Sequence, residues 1–201
     1  MNEANFHFIR AHQLLELGKY AEAEEECREA IRINPDFVEA RSILGVLLII
    51  QGRYPEAEEE LREAIRINPD YAGAHNNLGI LLREQGRYSE AEREYREVIR
   101  LNPEHASAHY NLGNLLSYLG DNETDPEKRK QYYQEAEKEY LEAIRIDPED
   151  AEAYRRLGAL LKGQGRYSEA RAELERAAEL FEEQGRPEDA KKARELLNGL
   201  S

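Results

Sequence analysis

Apolar residues recur along this chain at helical spacing, in stripes that stop and restart at regular intervals. Within residues 38–71, a first stripe comprises Ile43, Leu44, Val46, Leu47 and Leu48. A second stripe, with acidic residues on the opposite face, comprises Ala57, Leu61, Ala64 and Ile65. The pattern predicts two amphipathic helices in succession. Gly52 and Pro69 are expected to end them, because glycine adopts the left-handed conformation easily and proline lacks an amide donor.

The helix pair repeats. The motif Gly-Lys/Arg-Tyr begins at Gly18, Gly52, Gly86 and Gly165. A second motif, Asn-Pro-Asp/Glu, begins at Asn34, Asn68 and Asn102, and a variant of it, Asp-Pro-Glu, begins at Asp147. These motifs predict five helical hairpins in a single domain, 1–201, at about 4–37, 38–71, 72–105, 106–150 and 151–184. Pro187 and Asn198-Gly199 predict a last helix, about 187–198, that caps the fifth hairpin. Asp70, and Ser89 with Glu92, are candidate N-terminal caps.

Small residues occupy fixed places in every hairpin. They are Ala11, Gly45, Gly79, Gly113 and Gly158 in the first helices, and Ala23, Ala57, Ala91, Ala136 and Ala170 in the second helices. Together with the 34-residue period, this pattern resembles the tetratricopeptide repeat family. The resemblance implies an all-α fold, a right-handed α-solenoid of five hairpins plus a C-terminal capping helix. The sequence departs from the family at the fourth position of each hairpin, where tryptophan is replaced by His7, Arg41, His75, His109 and Tyr154.

The fourth hairpin carries eleven extra residues between Gly120 and Ala136. Thr124 or Asp125 can cap a helix that begins at Pro126. We predict one helix over about 126–146, lengthened at its N-terminal end and projecting beyond its neighbours. This segment is either a tolerated surface elaboration or an extra contact surface formed by Lys128, Arg129, Lys130, Tyr132 and Tyr133.

The resemblance also implies a groove lined by the first helix of each hairpin. Its N-terminal half comprises Phe8, His12, Ile43, Val46, Ile49 and Ile50, and its C-terminal half Asn76, Asn77, Tyr110, Asn111, Asn114, Tyr118, Arg155 and Arg156. A bound chain, a second copy, or tight curvature that buries Val46 and Ile50 would each account for the apolar half. Asn77 and Asn111 occupy the same repeat position. They either pair with an extended backbone or make only local and solvent contacts.

Composition narrows the classes of function. Of 201 residues, 40% are hydrophobic and 35% charged, and the net charge is −14. This charge disfavours nucleic acid and anionic membranes as partners. The single cysteine, the absence of a signal-like start and the short apolar run Ile43–Ile50 lead us to expect a cytoplasmic protein without membrane insertion.

No arrangement of residues indicates catalysis or a cofactor. The acidic runs are typical of solvated helix faces, and His105 with His109 lacks a third metal ligand. Cys27 is expected to be a buried, inert thiol, so we predict a non-enzymatic protein without cofactor or metal. The expected function is a protein–protein interaction scaffold that holds an extended or helical peptide segment. Alternatives are a homo-oligomer assembled through exposed apolar faces, an arm of a larger enzyme such as a glycosyltransferase, or an engineered consensus repeat.

Overall fold

The computed structural model describes residues 2–200, which form α-helices and no β-strand. The predicted all-α class is confirmed. The chain divides into two compact units, Met1–Asn102 and Pro103–Ser201. Unit 1 contains α1 (Glu3–Glu16), α2 (Tyr20–Ile33), α3 (Val38–Ile50), α4 (Tyr54–Ile67), α5 (Ala72–Glu84) and α6 (Tyr88–Leu101). Unit 2 contains α7 (Ala106–Asn122), α8 (Pro126–Ile146), α9 (Ala151–Gly163), α10 (Tyr167–Glu183) and α11 (Pro187–Asn198).

Glycine forms most of the tight turns between helices. Gly18, Gly52, Gly86, Gly165 and Gly185 all have φ between 69° and 75°. At Gly52, its own N–H donates to the Ile49 carbonyl and the Arg53 N–H donates to the Leu48 carbonyl, both at 2.9 Å. This pair of bonds satisfies carbonyls that the end of α3 would otherwise leave unpaired. The motif therefore ends one helix and starts the next within three residues.

The two helices of a hairpin approach closely because a small residue faces a large one. A Cβ added to Gly45 would lie 2.6 Å from Leu61 Cγ, and one added to Gly79 would lie 2.6 Å from Tyr95 Cε1. In unit 2, the same relationship joins Gly113 to Tyr140 and Gly158 to Leu174. Interiors are packed as densely as organic crystals, so each small residue is fixed by the size of its partner.

The fourth hairpin is longer in both of its helices. The predicted bounds of α8, 126–146, are confirmed, and Asp125 caps it by accepting hydrogen bonds from the N–H groups of Glu127 and Lys128. The prediction that only one helix of this hairpin is lengthened is wrong. Compared with α5 and α6, α7 is four residues longer and α8 seven residues longer, about one and two helical turns. Gly120 does not end α7, because a Cβ there would lie 2.5 Å from Tyr133 Cε1 and the helix continues against α8.

Two predicted caps are wrong. The N-cap of α5 is Tyr71 rather than Asp70, whose N–H donates instead to Asn68 Oδ1 at 3.1 Å. The N-cap of α6 is Arg87, two residues before Ser89, and no side chain caps its amides. The Arg87 guanidinium instead pairs with Glu90 at 2.7 Å, so an ion pair across the first turn takes the place of the expected hydroxyl cap.

The last helix covers the end of α10, as predicted, and its bounds 187–198 are confirmed. Ala190 and Ala193 of α11 pack into a buried cluster with Ala177, Ala178 and Phe181 of α10. The Arg186 guanidinium lies 4.6 Å from the centre of the Phe181 ring, within the range of a cation–π contact. Apolar side chains that would otherwise face water at the end of α10 are thereby buried.

Candidate functional site

The apolar face of α3 is the most hydrophobic part of the predicted groove. Leu44, Leu47 and Leu48 are fully buried between neighbouring helices of unit 1. Ile43, Val46 and Ile49 are half-buried, whereas Ile50 is 47% exposed. Packing within unit 1 therefore covers Val46 in part and leaves Ile50 open, so curvature alone does not account for this apolar face.

The two candidates on α1 have different surroundings. The half-buried Phe8 ring lies 5.0 Å from the ring of Phe37, at the turn that leads into α3. His12 is exposed, and its Nδ1 lies 3.4 Å from Glu16 Oε1 one helical turn away. Phe8 thus continues the apolar surface, while His12 makes a solvated contact with a neighbouring carboxylate.

Asn77 connects two first helices. Its Nδ2 donates to the hydroxyl of Ser42 at 3.0 Å, which ties α5 to α3. Ser42 is buried, and sequence reasoning left it out of the candidate set although it occupies the repeat position of Asn76. Asn76 has a partner within the chain as well. The hydrogen bond of Asn77 therefore joins two hairpins and is neither a local contact nor a contact with solvent.

In unit 2, the candidate residues belong to a hydrogen-bonded cluster. The Tyr140 hydroxyl donates to Asn114 Oδ1 at 2.9 Å, and the ring of Tyr110 lies 6.3 Å from that of Tyr140. Burial is the largest single influence on Arg156 and opposes its charge, but the hydrogen bond to Tyr110 and the nearby Tyr110, Tyr140 and Glu152 together raise the pKa of the guanidinium. The cluster joins α7, α8 and α9 and keeps Arg156 charged.

The remaining candidates of unit 2 also have partners. Arg155 pairs with Glu152 one turn earlier in α9, at 2.6 Å. Asn111 and Tyr118 each have a partner within the chain. The side chain of Tyr118 is exposed, so it is accessible despite that contact.

The fourth position of the second and third hairpins has a structural role. His75 bridges Glu94 at 2.6 Å and the carbonyl of Pro69 at 2.9 Å. Arg41 likewise reaches Glu60 and the carbonyl of Pro35. Each side chain joins its own helix to the second helix of the hairpin and to the preceding turn. These contacts hold the two helices of a hairpin together.

The two histidines considered as metal ligands are occupied in other ways. His105 caps α7 by accepting a hydrogen bond from the Ala108 N–H at 3.3 Å, and His109 contacts Glu139. Within residues 2–200, no three His, Cys, Asp or Glu side chains are grouped so that they could hold a metal ion.

Cys27 is buried, as predicted, and burial raises the pKa of its thiol to about 12. None of the helices in residues 2–200 has the length and apolar character that a membrane span requires.

Comparisons with known proteins agree with the repeat pattern. Family models described as tetratricopeptide repeat match residues 10–72, 48–110 and 151–184, and one described as TPR repeat matches residues 128–165. The unmatched residues between 110 and 128 include the start of the eleven-residue insertion. A search of curated proteins gave no match.

Solved structures have the same fold at low sequence identity. PilF of Pseudomonas aeruginosa is 21% identical, with a TM-score of 0.77 over 98% of this chain and 91% of its own. TTC0263, a TPR protein of Thermus thermophilus, is 22% identical, with a TM-score of 0.75 over 96% and 98%. YrrB, described as a TPR protein with an unusual peptide-binding site, is 18% identical, with a TM-score of 0.63 over 92% and 90%. From the family matches and the hairpins described above, the chain belongs to the tetratricopeptide repeat family.

Proposed function

We propose that the chain is a protein-interaction scaffold, and that the face of unit 1 formed by α1, α3 and α5 binds an extended or helical segment of a partner protein. Membership in the tetratricopeptide repeat family supports the scaffold role. The observation that carries the proposed binding face is Ile50, which is 47% exposed at the end of an apolar face of α3. Exposed apolar patches bounded by polar residues are typical of interaction sites.

Two kinds of contact are available to such a segment. Ile43, Val46 and Ile49 present half-buried apolar surface that a partner side chain would bury further. Beside them, the bond from Asn77 to Ser42 fixes the orientation of an amide that still has an oxygen and a second N–H. The apolar surface supplies affinity, and the amide pairs with the backbone of the segment.

A library of random displayed peptides, selected against the whole chain, tests the proposal. Selected peptides are expected to carry apolar residues and to bind Ile50→Glu at least about tenfold more weakly, because a charge then replaces an anchoring contact. Asn77→Ala is expected to weaken binding less.

The matched control is Leu141→Glu, which also replaces an exposed apolar side chain with a carboxylate but lies on α8. Peptides that bind both variants as tightly as the original chain would contradict the proposed face. Equal loss in both variants would show that added negative charge, rather than the α3 face, is responsible.

Self-association is a second candidate, favoured by the first hairpin. Phe6, Ile9 and Leu17 are all exposed there, Leu17 to 72%. A second copy that covered this surface would bury all three side chains, and therefore more apolar area than a contact with one exposed residue would bury. Sedimentation velocity over a range of concentrations tests it: the double variant Phe6→Glu/Ile9→Glu should shift an oligomer to monomer. A chain that is monomeric at every concentration would contradict assembly.

A further inference from the structure

A polar groove lies within unit 2, between the extended part of α8 and the turn from α9 to α10. Its volume is about 370 Å³, and its walls include Arg129, Lys130 and Tyr133 on one side and Gln164 and Arg166 on the other. The first wall consists of residues of the eleven-residue insertion, so no other hairpin of the chain has an equivalent.

Gln164, which lines this groove, carries an unpaired donor. Its Nε2 is buried and has no hydrogen-bond partner among the described residues. The equivalent Gln51 in unit 1 donates from Nε2 to Glu24 Oε2 at 2.9 Å. In unit 2, the equivalent carboxylate is Glu137. Arg166 binds it at 2.5 Å, as Arg53 binds Glu24 at 2.8 Å, but the Gln164 amide does not donate to it. A buried amide donor without an acceptor is unfavourable, and an acceptor brought by a ligand would satisfy it.

The cations of the groove are not neutralised in the same way. Arg166 is balanced by Glu137 and by Glu169, both at 2.5 Å. Arg129 donates from Nε and Nη2 to the backbone carbonyl of Glu123, a neutral group. Lys130 has no ion pair among residues 2–200. The groove therefore keeps the positive charge of Arg129 and Lys130 in a chain whose net charge is −14.

These cations also lie at an unfavourable end of their helix. Lys128, Arg129 and Lys130 are in the first two turns of α8, where the helix dipole is positive and repels cations. Negative charge is the usual choice at a helix N-terminus. Departures of this kind from the usual preference for acidic residues at a helix N-terminus are expected at functional sites.

The wall that carries them is held firmly. The Tyr133 hydroxyl donates to Asp121 Oδ1 at 2.8 Å, and its ring packs on Gly120, where no Cβ would fit. Asp125 caps the first turn of α8. A preorganised wall loses little entropy when a ligand binds.

From this geometry we infer that the groove binds the carboxylate of an acidic side chain on an extended segment of a partner protein. A carboxylate accepts from the Gln164 amide and from Lys130 together, and Arg129 adds charge without leaving its carbonyl contact. Nucleic acid fits poorly, because a long polyanion would extend from this small groove over acidic helix faces. The site is separate from the α3 face proposed above, and neither depends on the other.

Fluorescence anisotropy with a labelled peptide of alternating Ser and Glu, capped at both ends, tests the inference. A peptide of alternating Ser and Gln is the reference for non-specific binding. The acidic peptide should bind more tightly, and Lys130→Gln and Gln164→Ala should each weaken it about tenfold, since each removes a hydrogen bond to a charged group. Ile50→Glu should leave this binding unchanged, which separates the two sites.

Lys128→Gln is the matched control, because Lys128 lines a different groove with Tyr132 and Glu135. It should change affinity less than twofold while removing the same charge from the same helix. Lys130→Gln removes a cation from the positive end of α8, so its melting temperature should not fall, and weaker binding cannot be ascribed to unfolding.

Three results would overturn the inference. They are equal affinity for the two peptides, equal loss in Lys128→Gln and Lys130→Gln, and full competition by inorganic phosphate at concentrations that leave the ionic strength unchanged. The last would assign the groove to a free anion instead of a protein carboxylate.

Discussion

His109 Nδ1 lies 2.6 Å from Glu139 Oε2, and its other ring nitrogen lies 3.0 Å from the carbonyl oxygen of Pro103. His75 has the same pair of acceptors, Glu94 and the carbonyl of Pro69. A neutral imidazole has one N–H, so only the protonated ring can donate both bonds. This geometry favours the cationic form of both histidines, one in each unit.

The stability of the protein should fall as the pH rises above 6.5. The hydrogen bond to Glu94 raises the pKa of His75. Burial by itself would lower the pKa of His109, but the contacts with Glu139 and the Pro103 carbonyl outweigh burial, so this pKa is also raised. A raised folded-state pKa contributes stability that is complete below the ordinary value of 6.5 and is lost as the pH rises through the folded value. Thermal unfolding followed between pH 6 and 9 should show this decline.

The double variant His75→Gln/His109→Gln checks the assignment, because glutamine keeps a donor but does not titrate in this range. Its melting temperature should be lower at pH 6 and depend less on pH. A slope equal to that of the original chain would show that other groups cause the decline.

Glu173 should destabilise the fold at neutral pH. It lies at the repeat position of Glu139, but Tyr154 replaces the histidine and no cation pairs with it in the described chain. Burial raises the pKa of this carboxyl, and the charge of Glu169 adds to the effect. Glu173→Gln should raise the melting temperature at pH 7, and the gain should vanish as the pH falls toward 4.5. The exposed Glu175→Gln on the same helix is the control and should have little effect.

Much of the fold could be predicted because particular residues in the sequence mark the helix ends. Pro126 and Pro187 fix the starts of α8 and α11, and the 34-residue period supplies the rest. The division of the insertion could not be predicted in this way. Gly120 aligns with Gly86, yet one packs inside a helix against Tyr133 while the other forms a turn.

The proposed binding face was harder to predict, because its details depend on contacts between hairpins. The bond from Asn77 to Ser42 exists only because α5 packs against α3. One signal was present but overlooked: each basic fourth position is followed by a glutamate, 19 residues on at His7, Arg41 and His75. At His109 the separation is 30, which is the same spacing plus the insertion.

Gly79→Ala should destabilise unit 1 although alanine favours helices. The added Cβ would lie 2.6 Å from the Tyr95 ring, and Tyr95 is fully buried. Overpacking of this kind costs about 1–3 kcal/mol. Gly163→Ala is the control, since nothing lies within 4 Å of its Cβ, and it should gain up to about 1 kcal/mol of helix propensity.

A double-mutant cycle tests the cause of that loss. The double variant Gly79→Ala/Tyr95→Cys recreates the small pair of the first hairpin, where Ala11 occurs with Cys27. Gly79→Ala should cost less in the Tyr95→Cys background than in the original chain when both are measured by urea unfolding. Equal costs would mean that the tyrosine ring is not what excludes alanine.

Ala193→Glu should release the last helix. Ala193 is buried against α10, so the substitution places an unpaired carboxylate beside Ala177 and Phe181. Burial of such a charge costs more than about 2 kcal/mol, and α11 can avoid this cost by detaching, which exposes Phe181 to water. We therefore expect stronger binding of a hydrophobic dye at a temperature where circular dichroism shows that most helices remain. Ala172→Glu, the same change at an exposed position of α10, should leave both signals unchanged. If the two variants behave alike, α11 contributes little to covering the end of the stack in unit 2.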